Sequence, residues 1–310
     1  MLSFKHTYLL LAAALATFSL SAQNTKKDKS VLQDPSFSRG LAVESVSNAD
    51  SLSGNLLVDT LAKPVWHLCQ PNSRFDAARS TMESRGDNYI FNLAGNGNLM
   101  AKTVRLNPVR NILCLECNAS AEYTGIRRSG SPWVGLWAEQ RLDSVWIASC
   151  RPIELHLDYR ITSFEDCMGF LADKDVHSAV CCATIVLRNA NNESATFGRC
   201  LKVTLPLFDN RKVGASYGSD SYEEDGVAVY RPSSDKCLSS GRLPKVKQKE
   251  SVQIRLMPIF NQALKAASVN DFLQDTDPVD YVLESFSIGW EMKGTFNSAV
   301  EIKNLKLLYL

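Results

Sequence analysis

The 310-residue chain has almost no excess charge of either sign, because 34 Lys and Arg oppose 33 Asp and Glu for a formal net charge of +1. A nucleic-acid-binding surface needs concentrated basic charge, so this balance argues against a nucleic-acid partner. Beyond the first twenty residues no apolar run approaches the roughly 18 residues of a membrane-spanning helix, and no membrane span is expected in the mature chain. Helical periodicity is also scarce, which favours a fold built from strands.

Residues suited to metal chemistry are few. The chain has four His, and its Cys-x-x-Cys motif at Cys114 and Cys117 would place the two thiols on opposite faces of a strand, with no second pair to complete a zinc site. No catalytic metal and no cofactor is therefore predicted. One acidic turn offers the hard oxygen ligands of a structural calcium ion, although metal-free acidic turns have the same composition. Its carboxylates are Asp271, Asp275, Asp277 and Asp280.

The N-terminus has the composition of a bacterial secretory signal. A short basic stretch precedes an apolar run from Tyr8 to Leu20, and a small-residue cleavage site follows at Ala22. Residues 1–22 are therefore predicted to be a signal peptide. The expected location is the periplasm, the cell surface or the medium.

Composition divides the mature chain into two parts. Residues 23–63 are rich in Ser, Asp, Lys and Asn without a sustained period, which predicts a flexible polar tether. Residues 64–310 alternate strand-like runs with turns such as Gly95–Asn98, and one short helix is expected at Asn261–Phe272. The predicted fold class is all-β: an antiparallel two-sheet β-sandwich, or jelly roll, with long loops and at most one or two short helices.

The nine cysteines leave two interpretations open. In an exported chain they could form disulfides, although an odd count leaves at least one unpaired within a monomer. Several lie inside apolar strand-like runs, such as Cys181 and Cys182, where free thiols act as small buried hydrophobes.

The stretch Ser131–Leu142 separates into two unlike faces when it is given the two-residue period of a strand. The first face is aliphatic and consists of Val134, Leu136, Ala138 and Leu142. The second carries Trp133, Trp137, Glu139 and Arg141. Flat indole rings suit stacking on sugar rings, and the charged groups beside them suit hydroxyls, so this face is a candidate carbohydrate-binding platform. Packing of the tryptophans beneath a loop or a partner sheet is the alternative.

A second polar face lies on the predicted strand Ile153–Thr162, where His156, Asp158 and Arg160 point outward. On a strand next to the tryptophan strand they would extend the ligand-binding face, and His156 beside a carboxylate could move protons. A charged sheet face in water gives the same pattern.

Glu139 and Glu291 are the candidate catalytic carboxylates. As a nucleophile and a general acid they would need carboxyl groups about 5–5.5 Å apart for retention or about 6.5–9.5 Å for inversion of the anomeric centre. Two strand carboxylates on a solvated face are the alternative. Trp290 shares its strand parity with Phe286 and Ile288, which predicts that it belongs to the core.

The C-terminal strands resemble the last strand pair of β-jelly-roll carbohydrate-binding modules. The resemblance lies in Ile288–Trp290, a glycine-containing turn, and the alternating run Val300–Leu307 with Asn304 inside it. The body of about 245 residues is similar in size to concanavalin-like lyases and glycosidases. These resemblances imply a jelly-roll domain that handles glycans, by binding or by catalysis.

The function predicted from the sequence is that of an exported polysaccharide-binding protein that uses the face of Trp133, Trp137, Glu139 and Arg141. The enzyme alternative is a glycoside hydrolase or polysaccharide lyase on the same face. The second alternative is a structural or adhesive envelope protein that binds no sugar. The sequence leaves open whether the protein is an enzyme.

Overall fold

The computed structural model describes residues 29–48, 50–128, 130–150 and 152–309. The predicted signal peptide, residues 1–22, lies outside the described residues and stays a prediction. Within the described part of the chain, no helix has the length and apolar character needed to cross a membrane.

Strands dominate the described residues. They are β1 Lys29–Ser30, β2 Leu41–Glu44, β3 Leu52–Leu56, β4 Trp66–Cys69, β5 Thr81–Arg85, β6 Asn88–Ala94, β7 Met100–Asn107, β8 Ile112–Asn118, β9 Val134–Trp146, β10 Ile153–Asp166, β11 Ser178–Asn189, β12 Cys200–Asp209, β13 Asp220–Glu224, β14 Val227–Arg231, β15 Lys249–Arg255, β16 Tyr281–Lys293 and β17 Phe296–Tyr309. The α-helices are α1 Ala119–Glu122, α2 Ser234–Cys237 and α3 Met257–Val269. Single turns of 3-10 helix lie at Ala77–Arg79, Asn96–Asn98, Gly169–Leu171, Asn210–Lys212 and Pro278–Asp280.

The strands form two sheets that pack face to face. The eight-stranded sheet has the order β15-β10-β17-β8-β7-β6-β5, with β1 also paired to β17. The nine-stranded sheet has the order β13-β14-β12-β11-β16-β9-β4-β2-β3. Neighbours are antiparallel except in the pairs β12–β14 and β2–β4. The predicted fold class, an all-β two-sheet sandwich of jelly-roll type, is confirmed, and α3 corresponds to the predicted short helix.

The core fills the space between the sheets because alternate residues of each long strand point inward. Its aromatic centre includes the fully buried Trp66, Trp290 and Phe286. The indole of Trp290 on β16 donates a hydrogen bond to the carbonyl of Leu115 on β8, at 3.2 Å. This bond satisfies the polar atom of a buried tryptophan. The prediction that Trp290 is a core residue is confirmed.

The prediction of a flexible tether at residues 23–63 is wrong for those residues of the segment that the structure describes. The strands β2 and β3 extend the edge of the nine-stranded sheet, and Leu41 and Val43 are fully buried. Phe37 packs on Trp66 with ring centroids 4.9 Å apart. The prediction fails because the polar residues of this segment serve its turns, as where Asp34 accepts backbone hydrogen bonds, while a few irregularly spaced apolar side chains fill a core that the rest of the chain provides.

All nine cysteines are free thiols in the structure. Most are buried, and burial raises the pKa of Cys117 and of Cys237 to about 12. Thiols held in this protonated state are poor nucleophiles. Of the two interpretations left open by the sequence, the structure supports free thiols that pack as small hydrophobic side chains.

Candidate functional site

The tryptophan strand has the predicted polarity. On β9 the side chains of Val134, Leu136 and Ala138 are fully buried in the core. Trp137 and Glu139 point to the outer face of the nine-stranded sheet, where both are partly exposed. Trp133 precedes the strand and is 37% exposed. The tryptophans are therefore not trapped between the sheets.

Two adjoining hollows on this outer face form what we call the cleft. The first, of about 180 Å³, runs from β9 across β16, β11 and β12 to the hairpin β13–β14. The second, of about 450 Å³, extends from there to the segment that carries Trp133. The side chains shared by both hollows are Trp137, Lys202, Glu224 and Glu291.

Two glycines let the indole of Trp137 lie flat on the sheet. A Cβ on Gly135 would overlap Cζ3 of Trp137 and would come within 2.8 Å of Cγ of Pro71. A Cβ on Gly289, which faces Trp137 across the β9–β16 pair, would come within 2.5 Å of its Cα. The indole Nε1 donates to Oε2 of Glu139 at 3.3 Å. The ring is thus fixed along the strand as part of the cleft wall, an orientation suited to stacking.

Trp133 is held at the rim of the cleft from two sides. The ammonium of Lys293 lies 4.8 Å from the centre of its ring, a cation–π distance. The side-chain amide of Asn72 donates to the Trp133 carbonyl at 2.6 Å. The hydroxyl of Tyr123 donates in turn to the Asn72 carbonyl, and the guanidinium of Arg127 stacks 3.8 Å from the centre of the Tyr123 ring.

A buried ion pair anchors this rim. Lys102 and Glu122 are 1% and 0% exposed, and Nζ of Lys102 lies 2.7 Å from Oε1 of Glu122. The other carboxylate oxygen accepts from the hydroxyl of Ser73 at 2.6 Å and from the backbone N–H of Arg74 at 2.7 Å. A buried ion pair is tolerated only when its remaining polar atoms are bonded in this way. The pair therefore ties the loop that holds Asn72 to the body of the sandwich.

Glu291 is the most perturbed carboxyl group of the cleft. Burial raises its pKa, and the nearby Glu224 carboxylate raises it further. The positive charges of Lys202 and Arg231 oppose this shift, but the net displacement is upward. A carboxyl group with a raised pKa next to a second carboxylate is the arrangement by which enzymes keep one acid protonated and the other ionised.

The structure does not bring Glu139 and Glu291 together as the predicted catalytic pair. Along the β9–β16 pair, Glu139 faces Ser287 and Glu291 faces Gly135. Four residues of strand therefore separate them, which is roughly 13 Å, and the indole of Trp137 lies between. That separation is between Cα atoms, and Glu139 is not among the groups that shift the pKa of Glu291, whereas Glu224 is.

Glu224, the second carboxylate near Glu291, is a residue that sequence reasoning missed. Glu223, Glu224 and Asp225 are consecutive acidic residues, and Asp225 and Gly226 both have positive φ, at 51° and 76°. They form the two-residue turn of the β13–β14 hairpin, so the Asp-Gly pair before Val227 was the available signal. The hairpin lies at the edge of the nine-stranded sheet and presents Glu224 to the cleft.

His156, Asp158 and Arg160 are not neighbours of the tryptophan strand, which corrects the predicted extension of the ligand face. They lie on β10 in the other sheet, between β15 and β17. The chain crosses the sandwich between β9 and β10, so strands adjacent in sequence lie on opposite sides of the core. These three side chains bond to protein groups, namely Glu154 for His156, Ser251 and Asn304 for Asp158, and Glu301 for Arg160.

Glu139 lines the first hollow, and Arg141 continues the polar face beyond the cleft toward β4 and β2. Glu139 accepts a hydrogen bond from Sγ of Cys69 at 3.7 Å. Nearby, His67 Nδ1 lies 3.5 Å from a carboxylate oxygen of Glu44. The hydrogen bond between His67 and Glu44 is the main cause of the lowered pKa of Glu44, and the positive charge of Arg141 also lowers it. This cluster is polar but internally paired.

The acidic turn considered for calcium is held by hydrogen bonds within the protein. Asp277 caps the N–H of Val279 at 3.0 Å, and Asp280 accepts from the side-chain amide of Asn191 at 2.8 Å. Among the residues that the structure describes, no group of three or more His, Cys, Asp or Glu side chains is arranged to hold a metal ion.

Comparisons with known proteins return structural similarity without sequence similarity. No family model and no curated protein sequence matches the chain. The native family 12 xyloglucanase from Bacillus licheniformis is 12% identical, with 77% of this chain and 100% of that one covered at a TM-score of 0.40. The xyloglucanase domain of NopAA, a type three effector from Sinorhizobium fredii, in complex with cellobiose, is 10% identical, with 76% and 98% covered at 0.40.

The family 11 xylanase from Neocallimastix patriciarum is also 10% identical, with 79% of this chain and 100% of that one covered at a TM-score of 0.40. These proteins are glycoside hydrolases and not the carbohydrate-binding modules that the C-terminal strands were expected to resemble. At such scores and identities the likeness carries no argument about activity, which has to rest on the cleft itself.

Proposed function

We propose that the protein is a glycoside hydrolase that cleaves a polysaccharide bound in the cleft, with Glu291 and Glu224 as its two catalytic carboxyl groups. One observation carries the proposal: two carboxylates line a cleft whose wall contains a flat, partly exposed indole, that of Trp137. The sequence left binding and hydrolysis open, and this arrangement favours hydrolysis because the raised pKa of Glu291 suits a general acid.

Glu291 is assigned the role of general acid. Its raised pKa favours the protonated acid, and that proton would pass to the glycosidic oxygen as the bond to the anomeric carbon breaks. Glu224 then either attacks the anomeric carbon or takes a proton from the attacking water. In both cases the carboxylate also stabilises the positive charge that develops on the sugar ring.

Trp137 and Trp133 are assigned the binding of the polysaccharide chain. Trp137 would stack under one sugar ring, and Trp133, four residues earlier in the chain, would meet another at the rim. Export to a compartment that contains polysaccharide accords with this function and is proposed on the composition of residues 1–22.

The test is the release of reducing ends from a panel of polysaccharides by the purified mature protein. We expect release by the wild type and its loss, by about 10³-fold, in Glu291→Gln and in Glu224→Gln. Glu223→Gln is the matched control, because Glu223 lies next to Glu224 on the same hairpin and is exposed.

Three outcomes separate the functions. Loss confined to the two cleft carboxylates supports the hydrolase. Retention of a polysaccharide without release, abolished by Trp137→Ala, would instead make the protein a binding module. Neither release nor retention would favour the structural or adhesive role.

A further inference from the structure

Five charged side chains line the first hollow of the cleft. Among the described residues, none of the ion pairs within 4.0 Å involves Lys202, Arg231, Glu139, Glu224 or Glu291. Of the carboxylates, Glu224 and Glu291 have a role in the proposed reaction. The two cations do not, since they oppose the raised pKa that a general acid at Glu291 requires.

Lys202 and Arg231 lie near each other in the cleft. Lys202 is on β12 opposite Val229 of β14, and Arg231 follows two residues later on β14. This register places their Cα atoms roughly 8 Å apart on the same face of the sheet. Both side chains line the first hollow and both are partly buried.

Arg231 has an unused donor at this point. Its Nε is buried and has no hydrogen-bond partner. Its Nη2 donates to the hydroxyl of Tyr222 at 3.2 Å, and its guanidinium lies 5.7 Å from the centre of the Tyr222 ring. These contacts hold the planar group in place and leave a buried N–H free. A buried unpaired donor on a cation is costly unless a ligand atom completes it.

We propose that Lys202 and Arg231 bind a carboxylate group of the polysaccharide, so that the substrate class is a uronic-acid-containing glycan. The inference rests on the proposed function for its site and adds the chemical class of the substrate. A guanidinium fork matches the planar geometry of a carboxylate, and an ammonium two positions away adds a second positive charge. A neutral glycan would leave both cations and the Nε donor of Arg231 without partners.

The test compares each acidic polymer with its own neutral form. Homogalacturonan, glucuronoxylan and alginate are used intact and after reduction of their carboxyl groups to primary alcohols, with a sulfated galactan as a separate arm. Binding is measured by affinity electrophoresis on the Glu291→Gln protein, which leaves the polymer intact. We expect at least one intact polymer to bind tenfold or more tightly than its reduced form.

The variants assign this preference to the two cations. Lys202→Gln with Arg231→Gln should weaken binding of the intact polymer at least tenfold and leave that of the reduced polymer within twofold. Arg231→Lys, which keeps the charge and loses the fork, should give an intermediate loss. Lys265→Gln on the exposed face of α3 is the matched charge control, and thermal unfolding checks that each variant is folded.

Equal affinity for intact and reduced polymers would overturn the inference, and so would an equal loss on both polymers in the double variant. Preference for the sulfated galactan over every carboxylated polymer would overturn it as well, because the cations would then form a sulfate site. The proposed function is judged separately by reducing-end release. If the protein prefers carboxylated polymers but releases no reducing ends, this inference stands and the proposed hydrolase function is wrong. If it releases reducing ends without such a preference, the hydrolase function stands and this inference is wrong.

Discussion

The two outer faces of the sandwich have similar sequence patterns and opposite chemistry. On the eight-stranded sheet, Glu301 of β17 is bound by Arg105 at 2.9 Å, by Lys303 at 3.1 Å and by Arg160 at 3.3 Å. On the nine-stranded sheet, Glu291 of β16 has no ion-pair partner within 4.0 Å among the described residues. Alternation of apolar and charged residues produced both faces, so alternation alone does not distinguish a binding face from a solvated one. Pairing does.

The pKa shifts of the two carboxyl groups express this difference. Burial by itself would raise the pKa of Glu301, but the hydrogen bonds from Arg105 and Lys303 and the charge of Arg160 bring it below its ordinary range. Burial raises the pKa of Glu291, and Glu224 adds to the shift. Protein cations neutralise Glu301, whereas Glu291 has a second carboxylate as its neighbour.

The largest expected effect is on catalysis. Glu291→Gln should lower the rate of reducing-end release by about 10³-fold, because it removes the proton donor, while Glu301→Gln should leave the rate unchanged. The measurement is kcat on the best polymer of the panel for both variants. An equal loss in the two would mean that activity responds to any change in sheet charge, and the distinction between the faces would fail.

The next largest effect is on stability, and here Glu301→Gln is expected to have the larger effect of the two substitutions. Glu301→Gln should lower the free energy of unfolding by about 2 kcal/mol, since it leaves three cations without their carboxylate. This figure is below the roughly 3–5 kcal/mol of a broken buried ion pair, because those cations are partly hydrated. Glu291→Gln should lower it by less than 0.5 kcal/mol or increase it. Urea unfolding of both variants measures the difference, and a clear destabilisation by Glu291→Gln would show an undetected partner.

A tenfold effect is expected from the support of the aromatic wall. Gly135→Ala should raise KM by roughly tenfold, about 1.4 kcal/mol, because the added methyl group displaces the Trp137 ring. Gly218→Ala is the matched control, since a Cβ at Gly218 would meet no atom within 4 Å. If Gly135→Ala binds as well as the wild type, the flat orientation of Trp137 is not required.

The fold was accessible from the sequence because it follows from local periods. The two-residue alternation of Ile153–Thr162 and of the Trp137 strand placed side chains on the correct side of each strand, and helical spacing located α3. The failure at residues 29–56 has a physical cause: Phe37 and Leu41 gain their burial from strands far along the chain, and composition within the segment does not report it.

The site was accessible only in part, because it depends on which strands become neighbours. The two-residue period of the strand predicted that Trp133 and Trp137 lie on the outer face, and the structure places both at the cleft. It could not show that His156 lies on the opposite sheet, nor that the β13–β14 hairpin brings Glu224 to Glu291. Both outcomes are set by crossovers between sheets, which the alternation of any single strand leaves undetermined.

The smallest expected effect is a difference in the sign of the pH dependence of stability. Glu301 has a lowered pKa in the folded state, so its contribution is present above its ordinary value of 4.5 and is lost as the pH falls through the folded-state pKa. Glu291 has a raised pKa, so its contribution is present below 4.5 and is lost as the pH rises through the folded-state pKa. The two faces should therefore respond to acid in opposite directions.

Urea unfolding between pH 3 and pH 8 measures both contributions as differences from the wild type. The deficit of Glu301→Gln should shrink as the pH falls below about 4.5. Glu291→Gln should instead gain stability relative to the wild type as the pH rises above about 4.5, because the wild type then has to ionise a carboxyl group that its surroundings hold protonated. Curves of the same sign would mean that Glu291 is paired in solution, and the contrast between the two faces would be lost.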